Sequence, residues 1–436
     1  MLKLLASGGS TLRDTQLRTV RIAITVVNFA LLLLLPMQLR GDDAVRVEAA
    51  RQMLDGFDPE TKYSISLIKI FEVLIGTGRI VGNDFTILQV LLPAVLTAAV
   101  AILSSHIAFV RGQWASLLAT QASIFSLTSV YAISPNSDLF SAALIVIGLT
   151  ITTSRRFVGL TWSTVAIAAM TLGAWNVQPH AAGLGVVGLM MLIKARRAEP
   201  LISSAAAAVL IVAEATTSRG TLTWSKYGTE FGAPNVLPWE GITGFGYPIL
   251  FGVVGILFSL GRGLVFFIPT LWFSTESLRS DEPHPIGWLL LHTLVLVPIY
   301  GSWWAWYGGV GFGPRFFVIG AFAGAGAIAF ALSSADQASV KRTMIGVLSL
   351  LVSGYCAVLG MFIGVTNNSF NMCVLRENFR FEPLCWYSAE YSPLLAPFWD
   401  DFNPLGLRPM LYIFWTCMTT LLVSALAIQR CRMNPN

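Results

Sequence analysis

The sequence predicts an all-α polytopic membrane protein with about 12 transmembrane helices. Of its 436 residues, 55% are hydrophobic and 12% are charged, whereas about 25% of the residues of a soluble domain carry a charge. Segments without Asp, Glu, Lys or Arg recur along the chain, for example 85–110, 316–335 and 344–375. Such segments are long enough to span a bilayer, which takes about 20 apolar residues.

Each helix is predicted from an uncharged run and the breaks that flank it. The first run is too long for a signal peptide and lacks a small-residue cleavage site. Segment 244–260 is predicted to be partly re-entrant, because Gly261, Gly263 and Pro269 break the run around it and irregular backbone is tolerated where it lines a cavity. The predicted helices are 17–39, 86–110, 114–132, 138–154, 157–174, 179–195, 200–216, 244–260, 262–278, 285–301, 315–334, 342–365 and 408–429.

The net charge of +5 orients the chain in the membrane. Basic residues recur in the short loops at alternate gaps, which is the positive-inside pattern. Both termini and these loops are therefore predicted to be cytoplasmic. The protein is predicted to contact membrane lipids and not to bind nucleic acid. The basic residues are Lys3, Arg13, Arg18, Arg21, Arg111, Arg155, Arg156, Lys194, Arg196, Arg197, Lys341, Arg342, Arg430 and Arg432.

The longer loops fall on the opposite, outer face. They are 40–84, 217–261, 302–314 and 366–407. Loops on a rigid scaffold commonly carry function, so the sequence places binding or chemistry at this face. The sequence has no evident internal repeat, which disfavours a secondary transporter, since the halves of such proteins usually echo each other.

The first outer loop opens with two adjacent carboxylates, Asp42 and Asp43, directly after the first helix. An Asp at this position is compatible with capping the amphipathic stretch that runs to Leu54, because carboxylates are favoured at helix N-termini. An ionisable pair at a membrane interface is equally compatible with a functional site. Both alternatives stay open on the residues alone.

Two further segments combine glycines with a lone arginine. Arg262 lies between Gly261 and Gly263, and the alternatives are a kinked helix and an anion contact. Segment 303–315 reads WWAWYGGVGFGPR, and its last residue is the one charge between Ile286 and Ala335. The aromatic residues alone would suit an interfacial belt. The glycines and the arginine favour a site for a phosphate or a carboxylate.

Together these segments resemble the bacterial polyprenyl-phosphate-dependent glycosyltransferases of the GT-C superfold, relatives of protein O-mannosyltransferases and the lipid A aminoarabinose transferase. The resemblance covers most of the chain. Two positions depart from the family pattern: Asp43 stands where Glu is usual, and Gln178 precedes Pro179 where many relatives have Arg. The matching motifs are Gly41-Asp42-Asp43, Lys62-Tyr63, Leu257-Phe258-Ser259, Arg262-Gly263-Leu264 with Pro269, Trp306-Tyr307-Gly308-Gly309 and Phe312-Gly313-Pro314-Arg315.

The resemblance implies one GT-C-like transmembrane domain over residues 1–436, with interfacial helices and a catalytic outer loop at 40–84. It implies transfer of a sugar, with inversion, from a polyprenyl-phosphate donor to a hydroxyl of a lipid, glycan or protein at the periplasmic face of a bacterial inner membrane. Asp42 would be the base and Asp43 would orient it or the acceptor. Arg315, helped by Arg262 or Lys62, would neutralise the donor phosphate. The expected substrate wall is Tyr63, Trp304, Trp306, Tyr307, Gly308 and Gly309.

The remaining polar residues have simpler interpretations. Asp138 is predicted to be a helix N-cap, and Glu214 and His292 are predicted to bond neighbouring helices. His180 is interpreted as an interfacial polar residue. No cluster has metal-ligand spacing and no cofactor is required, although the sequence leaves open whether a divalent cation assists.

Cys373 and Cys385 share the last outer loop, where an oxidising compartment would allow them to pair as a disulfide.

Two rival functions also stay open: a transporter or flippase of a lipid-linked sugar, and a non-catalytic subunit of a membrane assembly. A transporter would place polar groups along a path from both faces, whereas here they gather at one. The sequence identifies neither the sugar nor the acceptor.

Overall fold

The computed structural model describes residues 10–39, 41–57, 65–80, 86–217, 244–274, 284–308, 311–333, 340–363, 385–395 and 407–433. The regular elements of these ranges are helices, which confirms the predicted all-α class. They are α1 (Ser10–Leu34), α2 (Gly41–Leu54), α3 (Ile65–Ile80), α4 (Thr86–Ile124), α5 (Leu127–Ala132), α6 (Ser137–Thr153), α7 (Leu160–Asn176), α8 (Pro179–Ala195), α9 (Glu199–Thr217), α10 (Ile249–Phe258), α11 (Leu264–Phe267), α12 (Pro285–Gly301), α13 (Val318–Ser333), α14 (Val340–Ile363) and α15 (Leu407–Met433).

The length and composition of these helices confirm a polytopic membrane protein. Among the described residues, six helices are long and apolar enough to cross a membrane, namely α1, α4, α9, α13, α14 and α15. Helices α6, α8, α10 and α12 are apolar but shorter. Helix α4 contains a break at Gly112, whose φ of 84° is left-handed. The two predicted helices of this region therefore meet at that glycine, which tolerates a positive φ because it has no side chain.

Helix α13 is the most enclosed of the six candidate membrane spans. Nearly all of its residues are buried, and it packs against α4 and α12. Small residues allow this close approach, as is common between membrane helices. A side chain could not replace Gly324, because its Cβ would lie 2.3 Å from Oγ1 of Thr270. The start of α13 is therefore a fixed point, and Arg315 lies immediately before it.

The predicted continuous helix at 262–278 is wrong over its described residues, 262–274. These residues form the four-residue α11 and a 3₁₀ turn, Pro269–Phe273. Proline at position 269 has no backbone N–H and cannot continue a helix, and Ile268 before it has the non-helical angles φ −131° and ψ 61°. The turn packs against α13 and α14. Such irregular backbone is tolerated at membrane depth where protein surrounds it.

The predicted outer loop at 40–84 contains two helices, α2 and α3, which pack against each other. The amphipathic stretch to Leu54 was predicted from the sequence, whereas α3 was not. The sequence contains a signal for α3, since the apolar residues Leu67, Phe71 and Ile75 recur at helical spacing. All three are buried in the structure. Lys69 and Glu72 form an ion pair of 2.8 Å on its exposed side.

The two ends of the helix bundle differ in chemistry. At one end Arg315 lies 3.8 Å from Asp138, which is in the first turn of α6. At the other end arginines lie over aromatic rings. These contacts are Arg111 with Phe330, Arg156 with Phe109 and Arg430 with Trp114, at 4.8, 5.3 and 5.7 Å from the ring centroids. The basic loops thus lie at the end opposite Arg315, in agreement with the predicted asymmetry.

Candidate functional site

The aromatic turn, residues 303–308, follows the last residue of α12. Its backbone is tied to the segment before α10, because the N–H of Trp304 donates to the carbonyl of Gly244 at 3.0 Å. Helix α10 packs closely on the end of α12, where a Cβ on Gly252 would lie 2.0 Å from the carbonyl oxygen of Gly301. Trp303 and Trp306 are buried. The aromatic turn is thus part of the packed structure and not only a belt at the lipid surface.

Trp386 completes the aromatic cluster. Its ring stacks on Tyr307 with centroids 4.5 Å apart and lies 6.1 Å from the ring of Trp306. The side chain is 1% exposed. Residue 386 lies in the predicted outer loop 366–407 and was not among the predicted site residues. The one feature of the sequence that could have drawn attention to Trp386 is its position next to Cys385, one half of the predicted disulfide.

Arg262 is buried beneath this cluster. Its Nη1 donates to the carbonyl of Gly311 and, at 2.7 Å, to the carbonyl of Gly313. The guanidinium carbon lies 4.7 Å from the centroid of the Trp386 ring. The charge is therefore engaged with backbone oxygens and an aromatic face. The predicted contact of Arg262 with a donor phosphate stays a prediction.

Arg315 lies beside Asp138 at the end of the bundle. Its Nε is 3.8 Å from Oδ2 of the carboxylate, and the two side chains are 20% and 8% exposed. Asp138 was predicted to be the N-cap of α6, which is wrong: Asn136 is the cap, and its Oδ1 accepts from the N–H of Leu139 at 2.9 Å. Asp138 is therefore a candidate site residue that its sequence context did not reveal.

Gly308 brings the aromatic turn against Arg315. A Cβ on Gly308 would lie 3.0 Å from Cγ and 3.2 Å from Nε of that arginine, and the backbone has a positive φ of 75°. The positive φ favours glycine, because other residues rarely adopt this conformation, and the short distances leave little room for a side chain. The structure thus brings together Arg315 and the predicted residues Trp304, Trp306, Tyr307 and Gly308. Gly309 lies outside the described residues.

Asp42 and Asp43 lie in the first turn of α2, which begins at Gly41. Carboxylates in a first turn interact favourably with the helix dipole, so neither the capping nor the catalytic interpretation is excluded. Their side chains lie outside the described part of the structure, as do Lys62 and Tyr63 entirely. The roles of these four residues stay predictions.

Cys385 is disulfide-bonded. Its partner is not among the described side chains, of which Cys356 and Cys417 are free cysteines. The predicted pairing with Cys373 therefore stays a prediction, because residue 373 lies outside the described ranges. A disulfide at this position attaches directly to Trp386 and so to the aromatic cluster.

If Cys373 is the partner, replacing Cys385 by Ser should lower the stability of the folded protein by about 3 kcal/mol, the usual value for closing a short loop. The thermal unfolding midpoint in detergent measures this loss. Cys417→Ser serves as the control, since that thiol is free and exposed on α15. Alkylation of Cys373 in the unreduced protein would contradict the pairing.

The buried histidines and Glu214 connect helices. Nδ1 of His180 lies 2.8 Å from Nε2 of His292, which joins α8 to α12. Glu214 accepts a 2.8 Å hydrogen bond from Nε1 of Trp175, which joins α9 to α7. The predicted bonding of Glu214 and His292 to neighbouring helices is confirmed. His180 is 1% exposed and is the second residue of α8; its interpretation as an interfacial polar residue stays a prediction.

No group of three or more His, Cys, Asp or Glu side chains suited to a metal ion occurs within the described ranges. The polar chemistry of the described site is that of an arginine, a carboxylate and an aromatic wall. Such a combination is suited to binding an anionic group that is attached to an apolar or ring-shaped body.

Comparison with solved structures identifies the fold. The crystal structures of ArnT from Cupriavidus metallidurans, one bound to undecaprenyl phosphate and one in the apo state, match 97% and 96% of this chain with a TM-score of 0.52. The chain has the fold of ArnT. In both cases the match covers 78% of the ArnT chain at 13% sequence identity. The GT-C-like fold that the motifs predict is therefore confirmed.

The comparison rests on structure alone. No protein-family model matches the sequence. No match was found among curated protein sequences. At 13% identity the likeness to ArnT establishes the fold, and activity has to be argued from the site.

Proposed function

We propose that this protein is a membrane glycosyltransferase that takes its sugar from a polyprenyl-phosphate carrier and gives it to an acceptor hydroxyl. One observation carries the proposal: the chain shares, over 97% of its length, the fold of a protein whose crystal structure holds undecaprenyl phosphate. The arginine and aromatic cluster at one end of the bundle fit the same ligand class. A lipid phosphate has an anionic head, which suits Arg315, and an apolar chain, which suits a membrane-embedded protein.

The proposed reaction is a single displacement at the anomeric carbon. The acceptor oxygen forms a bond to this carbon while the bond from the carbon to the phosphate oxygen breaks, so the configuration inverts. The acceptor proton passes to Asp42, and the polyprenyl phosphate leaves with the bonding electron pair. General-base assistance of this kind is typically worth a factor of about 100 or more in rate.

Arg315 is the proposed partner of the leaving phosphate. Negative charge grows on the phosphate as the bond breaks, and a pre-oriented guanidinium stabilises it without reorganisation. Asp138, 3.8 Å from Nε, would hold the guanidinium in place. Because Asp138 offsets one positive charge, the proposal needs Lys62 as a second cation.

The aromatic cluster would form one wall of the substrate site. Tyr307 is partly exposed while Trp306 and Trp386 behind it are buried, so the tyrosine presents a supported face. Flat rigid rings lose little conformational entropy on contact with a sugar or a prenyl chain. Neither the sugar nor the acceptor class, whether lipid, glycan or protein, follows from this arrangement.

A bacterial inner membrane is the proposed location, with both termini cytoplasmic and the site at the periplasmic face. A cysteine introduced at Asn378, in a variant whose free cysteines are replaced, should then react with an impermeant maleimide in intact spheroplasts. A cysteine at Arg197, in a short basic loop, should react only after the membrane is opened. Protection of residue 378 in intact spheroplasts would reverse the assigned orientation.

Purified protein in lipid nanodiscs tests the function. We expect it to release or transfer sugar from at least one member of a panel of polyprenyl-phosphate monosaccharides, including a pentose, an aminopentose and a hexose. The same donors enclosed in proteoliposomes test the rival function. Movement of intact donor across the membrane without cleavage would identify a flippase and overturn the proposal.

A further inference from the structure

We propose that Tyr131 and Arg262 are positioning residues that hold the backbone from which Arg315 projects. They act on the carbonyl turn, defined as residues 311–313. The inference rests on the proposed function for one step only, the assignment of Arg315 to the donor phosphate. It also gives Arg262 a different task from direct contact with that phosphate.

All three carbonyls of the carbonyl turn accept hydrogen bonds from buried side chains. Nη1 of Arg262 donates to Gly311 and Gly313, and the hydroxyl of Tyr131 donates to the carbonyl of Phe312 between them. Tyr131 and Arg262 are 0% and 2% exposed. A buried carbonyl without a hydrogen-bond partner costs folding free energy. The side-chain donors therefore stabilise this turn, as backbone donors stabilise a helix or a sheet.

The two donors come from separate parts of the chain. Tyr131 belongs to α5, and Arg262 directly precedes Gly263 and α11. Each therefore attaches the carbonyl turn to a different element of the bundle. Packing closes the remaining side, because a Cβ on Gly313 would lie 2.6 Å from Cδ1 of Phe267, and the φ of Gly313 is 65°. The turn is thus restrained both by hydrogen bonds and by steric contact.

The carbonyl turn is hydrogen-bonded to the backbone of Arg315 and so restrains its position. Its backbone N–H donates to the carbonyl of Gly313 at 3.0 Å, the same oxygen that Arg262 holds. Arg315 then opens a 3₁₀ turn, Arg315–Phe317, that leads into the enclosed helix α13. The Cα of Arg315 is therefore fixed from both sides. Asp138 restrains the guanidinium at the far end of the same side chain.

The surroundings of Arg262 suit a permanent structural charge. The N–H of Gly261 donates to the carbonyl of Trp386 at 2.9 Å, and Oγ of Ser392 donates to the carbonyl of Leu260 at 2.6 Å. The segment 385–395 thus covers Arg262 and stacks Trp386 on its guanidinium. An ammonium group would not reproduce this planar stacking.

Hydrogen exchange measured by mass spectrometry tests the restraint itself, without any need for activity. In Tyr131→Phe, peptides that cover residues 303–317 should exchange faster than in the wild type, while the rest of the chain is unchanged. Arg262→Met should show the same change more strongly. Ser203→Ala is the control, because it removes a buried hydroxyl that donates to the carbonyl of Glu199 on α9, a helix that packs on α7 and α8. Unchanged exchange in Tyr131→Phe would overturn the inference.

A double-mutant cycle tests whether the restraint acts through Arg315. With undecaprenyl phosphate as the probe, Tyr131→Phe should weaken binding about tenfold, the scale of one lost hydrogen bond. In the Arg315→Ala background the same change should have less than about a twofold effect, because coupled residues are not additive. Equal losses in both backgrounds, or no loss in the wild-type background, would overturn the positioning role.

The two measurements separate this inference from the proposed function. If exchange and binding behave as expected but no donor is cleaved, the glycosyltransferase proposal fails and the positioning role stands. If donors are cleaved but Tyr131→Phe leaves both exchange and binding unchanged, the positioning role fails and the proposed function stands. Tyr131→Phe removes only one oxygen atom, so the folded protein is retained for both tests.

Discussion

Asp42→Asn is expected to reduce turnover by about 100-fold or more, the usual contribution of a general base. The amide keeps the size of the carboxylate and much of its hydrogen bonding but cannot accept the proton of the acceptor hydroxyl. Insertion, folding and donor binding should therefore be retained. Asp43→Asn should have a smaller effect, because the proposed role of Asp43 is to orient the base or the acceptor.

The capping interpretation predicts the opposite pattern. Asn caps a helix about as well as Asp, and losing a charge from the first turn of α2 costs only about 0.3–1 kcal/mol. Asp55→Asn is a suitable control, because this residue follows α2 and forms an exposed 2.9 Å ion pair with Arg79. Such pairs contribute little. Full activity in both Asp42→Asn and Asp43→Asn would mean that the first outer segment is not the catalytic segment.

The fold class was predictable because membrane helices follow from local composition. A run of about 20 apolar residues is typical of a membrane span, and α6, α8, α9, α12 and α13 occur close to their predicted places. The prediction of a continuous helix at 262–278 is wrong because the composition of the segment suits a span, whereas its described residues form short turns. Gly263 and Pro269 allow turns, and packing against α13 and α14 stabilises the turn at Pro269–Phe273.

The site was predictable only in part. Arg315 stood out as a lone charge, and the aromatic turn stood out by composition. Asp138 and Trp386 did not, because their importance comes from contacts across large separations in the chain: Asp138 meets a residue far along the sequence, and Trp386 meets both Tyr307 and Arg262. An Asp near a helix start is readily interpreted as an N-cap. That interpretation gave no reason to expect an ion pair with a distant residue.

Arg315→Ala is expected to weaken binding of a polyprenyl phosphate by about 2 to 5 kcal/mol, which is about 30-fold or more in the dissociation constant. The guanidinium supplies both charge and paired N–H donors, and alanine supplies neither. Arg315→Lys should recover only part of the loss, since an ammonium group is a point charge without the planar geometry. Binding of undecaprenyl phosphate to protein in nanodiscs measures both effects.

A loss of affinity in Arg315→Ala has a second possible source, because the change leaves Asp138 without the guanidinium 3.8 Å away. Breaking a buried pair by removing one partner is itself destabilising. The double variant Asp138→Asn with Arg315→Ala removes both charges and should recover thermal stability without recovering affinity. If affinity returns with stability, Arg315 is structural. If Arg315→Ala alone binds the lipid phosphate as tightly as the wild type, the donor phosphate lies elsewhere and the central assignment of the site is wrong.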